Sequence, residues 1–333
     1  QPGPRWWPVT AGLTLGVFAL SRPFTALGVA LPFAVHGVII LVRGGQERRK
    51  QVLRIGMVTV LVASLHFLWQ YAVTGDPLMN PYTLWWSYDR LGFGPGHGVT
   101  PTGHDLQYAW WNTEHSLRVG LSDLFGWARF SWIFLPFGLW AVRKKPLFWP
   151  LVMVFPVLVL IYLAYWVGAW VLGPRYYFEG LYSLTITSAA GIAWLAGWPL
   201  SPGEKHRPKQ GNRRWRPLSV TFVVVLLVCA NLLFYLPPRL QMLQGLYSIE
   251  RADLAPLQYI EDETPALIIV HPRRWEDFGA LLELYSPLHD SPFIFAYHRG
   301  PRSDQALVEE FPERTVFHYY LDDPYTFYRL PEE

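Results

Sequence analysis

Cysteine is nearly missing from this 333-residue chain: Cys229 stands alone inside an apolar run, so no intrachain disulfide can form. Charge is scarce too. Asp, Glu, Lys and Arg make up 16% of residues, against about 25% in an ordinary soluble domain, while 51% are hydrophobic. No signal-peptide pattern opens the chain, and no internal repeat is visible. The C-terminal part lacks a glycine-rich phosphate loop, which removes the usual ground for a nucleotide-binding reading. The net charge of +3 does not argue for a nucleic-acid partner, because the basic excess is explained by where those residues fall.

What is present is long uncharged runs separated by short basic segments. Residues 43–54, 143–145 and 201–217 hold half of the 28 Lys and Arg residues. The longest run without Asp, Glu, Lys or Arg extends from Pro146 to Pro174. About 20 apolar residues in a helix cross the hydrocarbon of a bilayer, and basic loops mark the cytoplasmic side. The 17 Trp, 18 Tyr and 20 Phe suit membrane–water boundaries, where ring and polar edge are both satisfied. The reading is an α-helical polytopic membrane protein with spans near 8–20, 24–42, 55–73, 127–142, 147–171, 180–199 and 218–236. With the basic segments inside, the connection 21–23, the loop 74–126, the connection 172–179 and the tail 237–333 fall outside. The domain boundary follows residue 236. In the tail, residues 266–270, 292–297 and 315–319 read as strands, and 275–285 and 303–311 as helices. That alternation gives a small extracytoplasmic α/β domain with parallel strands.

Polar residues gather at the outer connections. Arg22 sits at a hairpin tip, Leu20-Ser21-Arg22-Pro23, where a charge beside a membrane core either pairs, lines a path or snorkels to headgroups. Arg175 and Glu179 lie in Gly173-Pro174-Arg175-Tyr176-Tyr177-Phe178-Glu179. They are spaced for a mutual ion pair, or for Arg175 to take an anion with Glu179 orienting it. Tyr176 belongs to the same segment. The loop 74–126 offers Asn80, Tyr82, Asp89, Arg90 and His104 as substrate-binding residues, since aromatics beside amides and carboxylates suit a sugar. Asp89 and Arg90 could equally form a local salt bridge. His97, His104, Asp105 and His115 match no metal motif, and no metal is expected. His36 and His66, inside spans, read as interhelical hydrogen-bonding residues.

At these motifs the chain resembles polyprenyl-phosphate-dependent glycosyltransferases of the GT-C fold, the broad group that includes protein O-mannosyltransferases and lipid A aminoarabinose transferases. Gly12-Leu13-Thr14-Leu15-Gly16 through Pro23, Gly173 through Tyr177, and Asn80-Pro81-Tyr82 through Tyr88-Asp89-Arg90-Leu91-Gly92-Phe93-Gly94 carry the resemblance. It covers most of residues 1–236 and implies a bacterial plasma-membrane enzyme that moves a sugar from a polyprenyl phosphate to a lipid, glycan or protein acceptor. Arg22 and Arg175 would bind the donor phosphate, and no cofactor is implied. The family's catalytic carboxylate lies in a first outer loop that has no counterpart in this sequence, so the chain reads as the C-terminal portion of such an enzyme. The rival readings are a transporter or lipid flippase, against which the apolar midspans and missing repeat count, and a membrane-anchored binding module.

Overall fold

The computed structural model of the chain describes residues 6–169, 173–200 and 215–331. It divides into two compact units, Gln1–Leu236 and Pro237–Glu333. Most of the basic segment 201–217 lies outside the described residues.

The first unit is helical: α1 (Trp7–Ser21), α2 (Pro23–Arg43), α3 (Gln46–Ala63), α4 (Leu65–Thr74), the single turn α5 (Tyr82–Trp85), α6 (Leu106–Asp123), α7 (Leu135–Val142), α8 (Trp149–Tyr162), α9 (Leu181–Ala196) and α10 (Trp215–Ala230). Pro23–Arg43, Gln46–Thr74 and Trp215–Ser248 are long and apolar enough to cross a membrane. Their surfaces are apolar as well: Leu53, Met57, Val60 and Leu61 of α3 are all exposed. Close helix contacts are made through glycine. A Cβ on Gly12 would stand 2.8 Å from the Ile55 carbonyl and one on Gly16 2.6 Å from Val62 Cβ, so the Gly-x-x-x-Gly of α1 lets α3 approach at backbone distance. Gly138 of α7 and Gly191 of α9 do the same for their pair.

Three local expectations are corrected. The basic stretch 43–54 is not a loop: only Gly44 and Gly45 connect α2 to α3, and Arg48, Arg49, Lys50 and Arg54 ride on the first turns of α3. The loop 74–126 contains the 18-residue helix α6, opened by Asp105, whose side chain accepts from the Tyr108 amide. In the apolar run 147–171, helix α8 ends at Tyr162 and the described residues 163–169 are irregular. Beyond it the Leu163 carbonyl accepts from His104 Nε2 at 2.9 Å, that of Ala164 from the Gly92 amide at 2.8 Å, and that of Trp166 from Asn112 Nδ2 at 2.7 Å. Irregular backbone is tolerated in an apolar setting when its polar groups find partners within the protein, and the preceding loop supplies them.

The second unit holds α11 (Leu236–Leu243), entered one residue earlier in the chain, a 3₁₀ segment Arg251–Glu263, α12 (Pro301–Glu310) and a four-stranded sheet. Its strands are β1 (Ala266–His271), β2 (Phe293–Tyr297), β3 (Thr315–Tyr320) and β4 (Phe327–Tyr328), in the order β2-β1-β3-β4. β1 pairs in parallel with both neighbours, and β4 is antiparallel to β3. Ala266, Ile268 and Val270 pack with Leu281, Phe295, Phe317 and Tyr319 on one face, while Leu267 and Ile269 are equally buried on the other. A parallel sheet covered on both faces has that continuous apolar pattern. The stretch 275–285 forms two short 3₁₀ pieces, Trp275–Phe278 and Ala280–Leu284, where one helix is expected from the sequence; Gly279 interrupts it, packed against Ile249.

Candidate functional site

Arg22 separates two helices because Pro23 follows it. Proline bars the helical conformation from the residue before it, and Arg22 takes φ −145°, ψ 75°. Its amide still closes α1 on the Phe18 carbonyl, and its own carbonyl accepts from Ala26 to start α2. The side chain therefore projects from a fixed corner. Nη1 donates to Glu179 Oε1 at 2.6 Å, joining residues 157 apart in sequence. The Arg22 side chain is 53% exposed and that of Glu179 19%. The second carboxylate oxygen, Oε2, is buried without a hydrogen-bond partner. The spacing of Arg175 and Glu179 is thus not used for a mutual pair.

Arg175 stands in a 3₁₀ turn, Arg175–Gly180, introduced by Gly173 at φ 68° and Pro174. Its Nη2 donates to Tyr176 Oη at 2.9 Å, and the guanidinium lies 4.9 Å from the centre of that ring. Tyr176 packs on Tyr162 (5.3 Å between ring centres) and edge-on to Tyr165 (5.1 Å). Tyr162 and Thr25 share a hydrogen bond of 2.5 Å, three residues from Arg22. Asp89 completes the patch: its Oδ1 accepts from Tyr165 Oη and from Trp166 Nε1, both at 2.9 Å. It does not pair with Arg90, which is exposed. Beneath lies a small core of Val154, Leu158 and Tyr177.

Three of the expected site residues, Arg175, Tyr176 and Asp89, are therefore joined through a cluster of phenols, and two more, Arg22 and Glu179, pair with each other. The others stand apart from it in role. Asn80 Oδ1 accepts from the Tyr82 amide and starts the turn α5. Tyr82 is exposed and stacks on Trp86. His104 is 2% exposed, stacked on Phe93 and spent on the Leu163 carbonyl, so it is a structural pin with no room for a substrate. His97 reaches only the Gly94 carbonyl, Asp105 caps α6, and His115 is exposed on that helix. No group of three or more His, Cys, Asp or Glu among the described residues is arranged to hold a metal ion. His66 packs against Trp69 of its own helix.

Tyr162, Tyr165, Trp166 and Thr25 belong to the patch although the sequence reading passes over them. Their signal is position: the two tyrosines and the tryptophan lie in the second half of the longest uncharged run, where a purely lipid-facing segment has no need of hydroxyls. Next to Glu179 an open groove of about 470 Å³ is lined by Phe18, Val29, Phe178, Leu181 and Tyr182. One carboxylate edge apart, its walls are apolar. The site thus combines an arginine anchored by a carboxylate, a second arginine on a phenol, a carboxylate held only by neutral donors, and an apolar channel beside them. The chain matches no family model, no curated protein and no solved structure.

Proposed function

We propose that this chain belongs to a membrane glycosyltransferase that uses a polyprenyl-phosphate sugar at the outer face of a bacterial plasma membrane. The observation that carries the reading is the Arg22–Glu179 pair beside the apolar groove. A lipid phosphate needs a guanidinium beside an apolar path for its chain, and Arg22 with the groove next to Glu179 answers that need. Holding Arg22 through one amine by Glu179 leaves the rest of its fork for phosphate oxygens. Arg175, turned over Tyr176, supplies a second cation. In the reaction an acceptor hydroxyl or amine gives its proton to a carboxylate base and attacks the anomeric carbon. The carbon–oxygen bond to phosphate breaks, and the polyprenyl phosphate departs with its new charge held by the arginines. The resemblance places that base in a first outer loop to which no position of this sequence corresponds. Asp89, with Oδ1 fixed by two neutral donors, is placed to orient sugar or acceptor hydroxyls.

The test is release of polyprenyl phosphate from a panel of polyprenyl-phosphate sugars by the complete protein in membranes, normalised to folded protein. Arg175→Ala is expected to lower turnover by about 10²–10³, the usual effect of losing one transition-state donor. Arg175→Lys restores it in part, because lysine lacks the planar fork. Arg22→Ala acts in the same direction. Undiminished turnover in both alanine variants refutes the phosphate-binding role, and lipid translocation without sugar transfer replaces the transferase with a flippase.

A further inference from the structure

The carboxyl edge of the sheet in the second unit collects three histidines, one from each parallel strand. His271 ends β1, His298 follows β2, and His318 lies in β3. All three point to the face opposite the Phe295–Phe317–Tyr319 core, on alternate residues from Leu267 and Ile269. Their rings form a ladder across the strands. His298 stacks on His271 at 4.3 Å, and His271 stacks on Tyr320 at 4.2 Å. His271 Nε2 and His318 Nδ1 are 2.9 Å apart and share one hydrogen. His298 Nδ1 donates to Asp304 Oδ2 at 2.6 Å, and Asp304 Oδ1 accepts from the Arg299 amide.

In parallel sheets this edge, where β1 lies between strands reached in opposite directions, is where ligands bind. Two ligand classes fit poorly. Phosphate is disfavoured because the carboxylate of Asp304 already occupies the N-terminal turn of α12. A metal ion is disfavoured because the donors are consumed in pairs and do not converge. The remaining ligand is a proton. The Asp304 carboxylate is taken by His298. An imidazolium on His271 or His318 therefore has no carboxylate of its own, loses the acceptor role in the shared hydrogen bond, and sits against the other rings. Arg273, two residues beyond His271, offers no relief, being paired with Asp322.

We infer that this edge is a proton-operated latch, in which protonation of the His271–His318 pair in mildly acidic surroundings loosens the ends of β1 and β3. Burial first, then the neighbouring His298 and His318, pushes His271 down to about 4, with Asp304 opposing. His318 is lowered chiefly by burial. Both folded values lie below the ordinary 6.5, so the unfolded edge binds more protons as pH falls. The stabilisation is complete above pH 6.5 and is lost progressively toward pH 4.

The experiment is amide hydrogen exchange of the full chain in lipid nanodiscs at pH 7.0 and 4.5, corrected for intrinsic rates. Protection of amides in β1 and β3 is expected to fall about tenfold, well below the full linkage value because the rings are partly solvated. His271→Phe keeps a ring between His298 and Tyr320 without a titrating group, and should reduce that fall to about twofold or less. Asp304→Asn removes the answering carboxylate and should steepen it, whereas a purely structural loss would lower protection equally at both pH values. Equal protection of the wild-type edge at both pH values overturns the latch. So does an unchanged fall in folded His271→Phe, or, where that variant does not fold, an unchanged fall in Asp304→Asn.

Discussion

Replacing His104 by alanine should open the backbone that ends α8. Its ring is buried, donates through Nε2 to the Leu163 carbonyl at 2.9 Å, and lies parallel to Phe93 with 5.2 Å between centres. Alanine leaves a half-buried carbonyl without its partner, at a cost of about 1–3 kcal/mol. It also removes the stacked pair, worth about 0.5–1.5 kcal/mol beyond area burial. The two losses together come to about 1.5–4.5 kcal/mol, or roughly 10- to 1,600-fold in the local opening equilibrium. The disturbance should not stay at Leu163. Tyr165 and Trp166 follow directly, and both hold Asp89, so the carboxylate of the candidate site should lose its fixed orientation. Hydrogen-exchange mass spectrometry of peptides covering residues 92–104 and 160–169 measures the opening in nanodiscs. His104→Phe preserves volume and stacking while removing the hydrogen bond, and should recover only the stacking part. If His104→Ala changes exchange there by less than about twofold, the loop does not hold this segment and the reasoning fails.

Two other substitutions probe the packing of the first unit. Gly191→Leu would place a Cβ 2.2 Å from the Phe134 carbonyl oxygen, which is backbone and cannot rotate aside, so α9 must retreat from α7. A loss of about 1–3 kcal/mol or more is expected, read as a lowered melting temperature in detergent, and a wild-type melting curve would show that the two helices are not in backbone contact. Asn231 opens the π-helical turn Asn231–Tyr235, and its Nδ2 donates to the Phe125 carbonyl at 2.7 Å. Asn231→Leu should therefore raise exchange around residues 125–127 by about tenfold, matching the loss of roughly 1–2 kcal/mol for an orphaned carbonyl, and unchanged exchange would assign the turn another cause.

What could be read from the sequence follows from which forces act locally. Apolar runs marked the helices from α1 to α4 and from α7 to α10, because a 20-residue uncharged stretch has few alternatives to helix in an apolar setting. The parallel strands of the tail were legible because burial on both faces writes unbroken runs such as Ala266–Val270. Helix α6 was not. Its buried positions are Ala109, Thr113, Ser116 and Gly120, spaced as a helix face but too small and polar to register as an apolar stripe. The end of α8 was also hidden, since nothing in residues 163–169 says that His104, Asn112 and Gly92 will claim their carbonyls. In the candidate site, the arginines announced themselves as isolated charges. That Glu179 turns to Arg22 and not to Arg175 is a tertiary fact, decided by a contact 157 residues long. The histidine ladder was written in the sequence as a histidine at or just beyond the end of three apolar strands, but only the strand order β2-β1-β3 brings them side by side.

The unwound segment after α8 has a consequence in time. Its partners His104 and Asn112 precede it by 59 and 54 residues, so during synthesis they are made roughly 3 to 12 seconds before it. The receiving surface thus exists before the segment that needs it. Were the order reversed, an apolar stretch with free carbonyls would wait for its donors, and its cheapest refuge would be to continue as helix. Chain direction therefore favours the irregular ending, and a circular permutation that delivered residues 92–112 last would be expected to yield a longer α8 and an unformed candidate site.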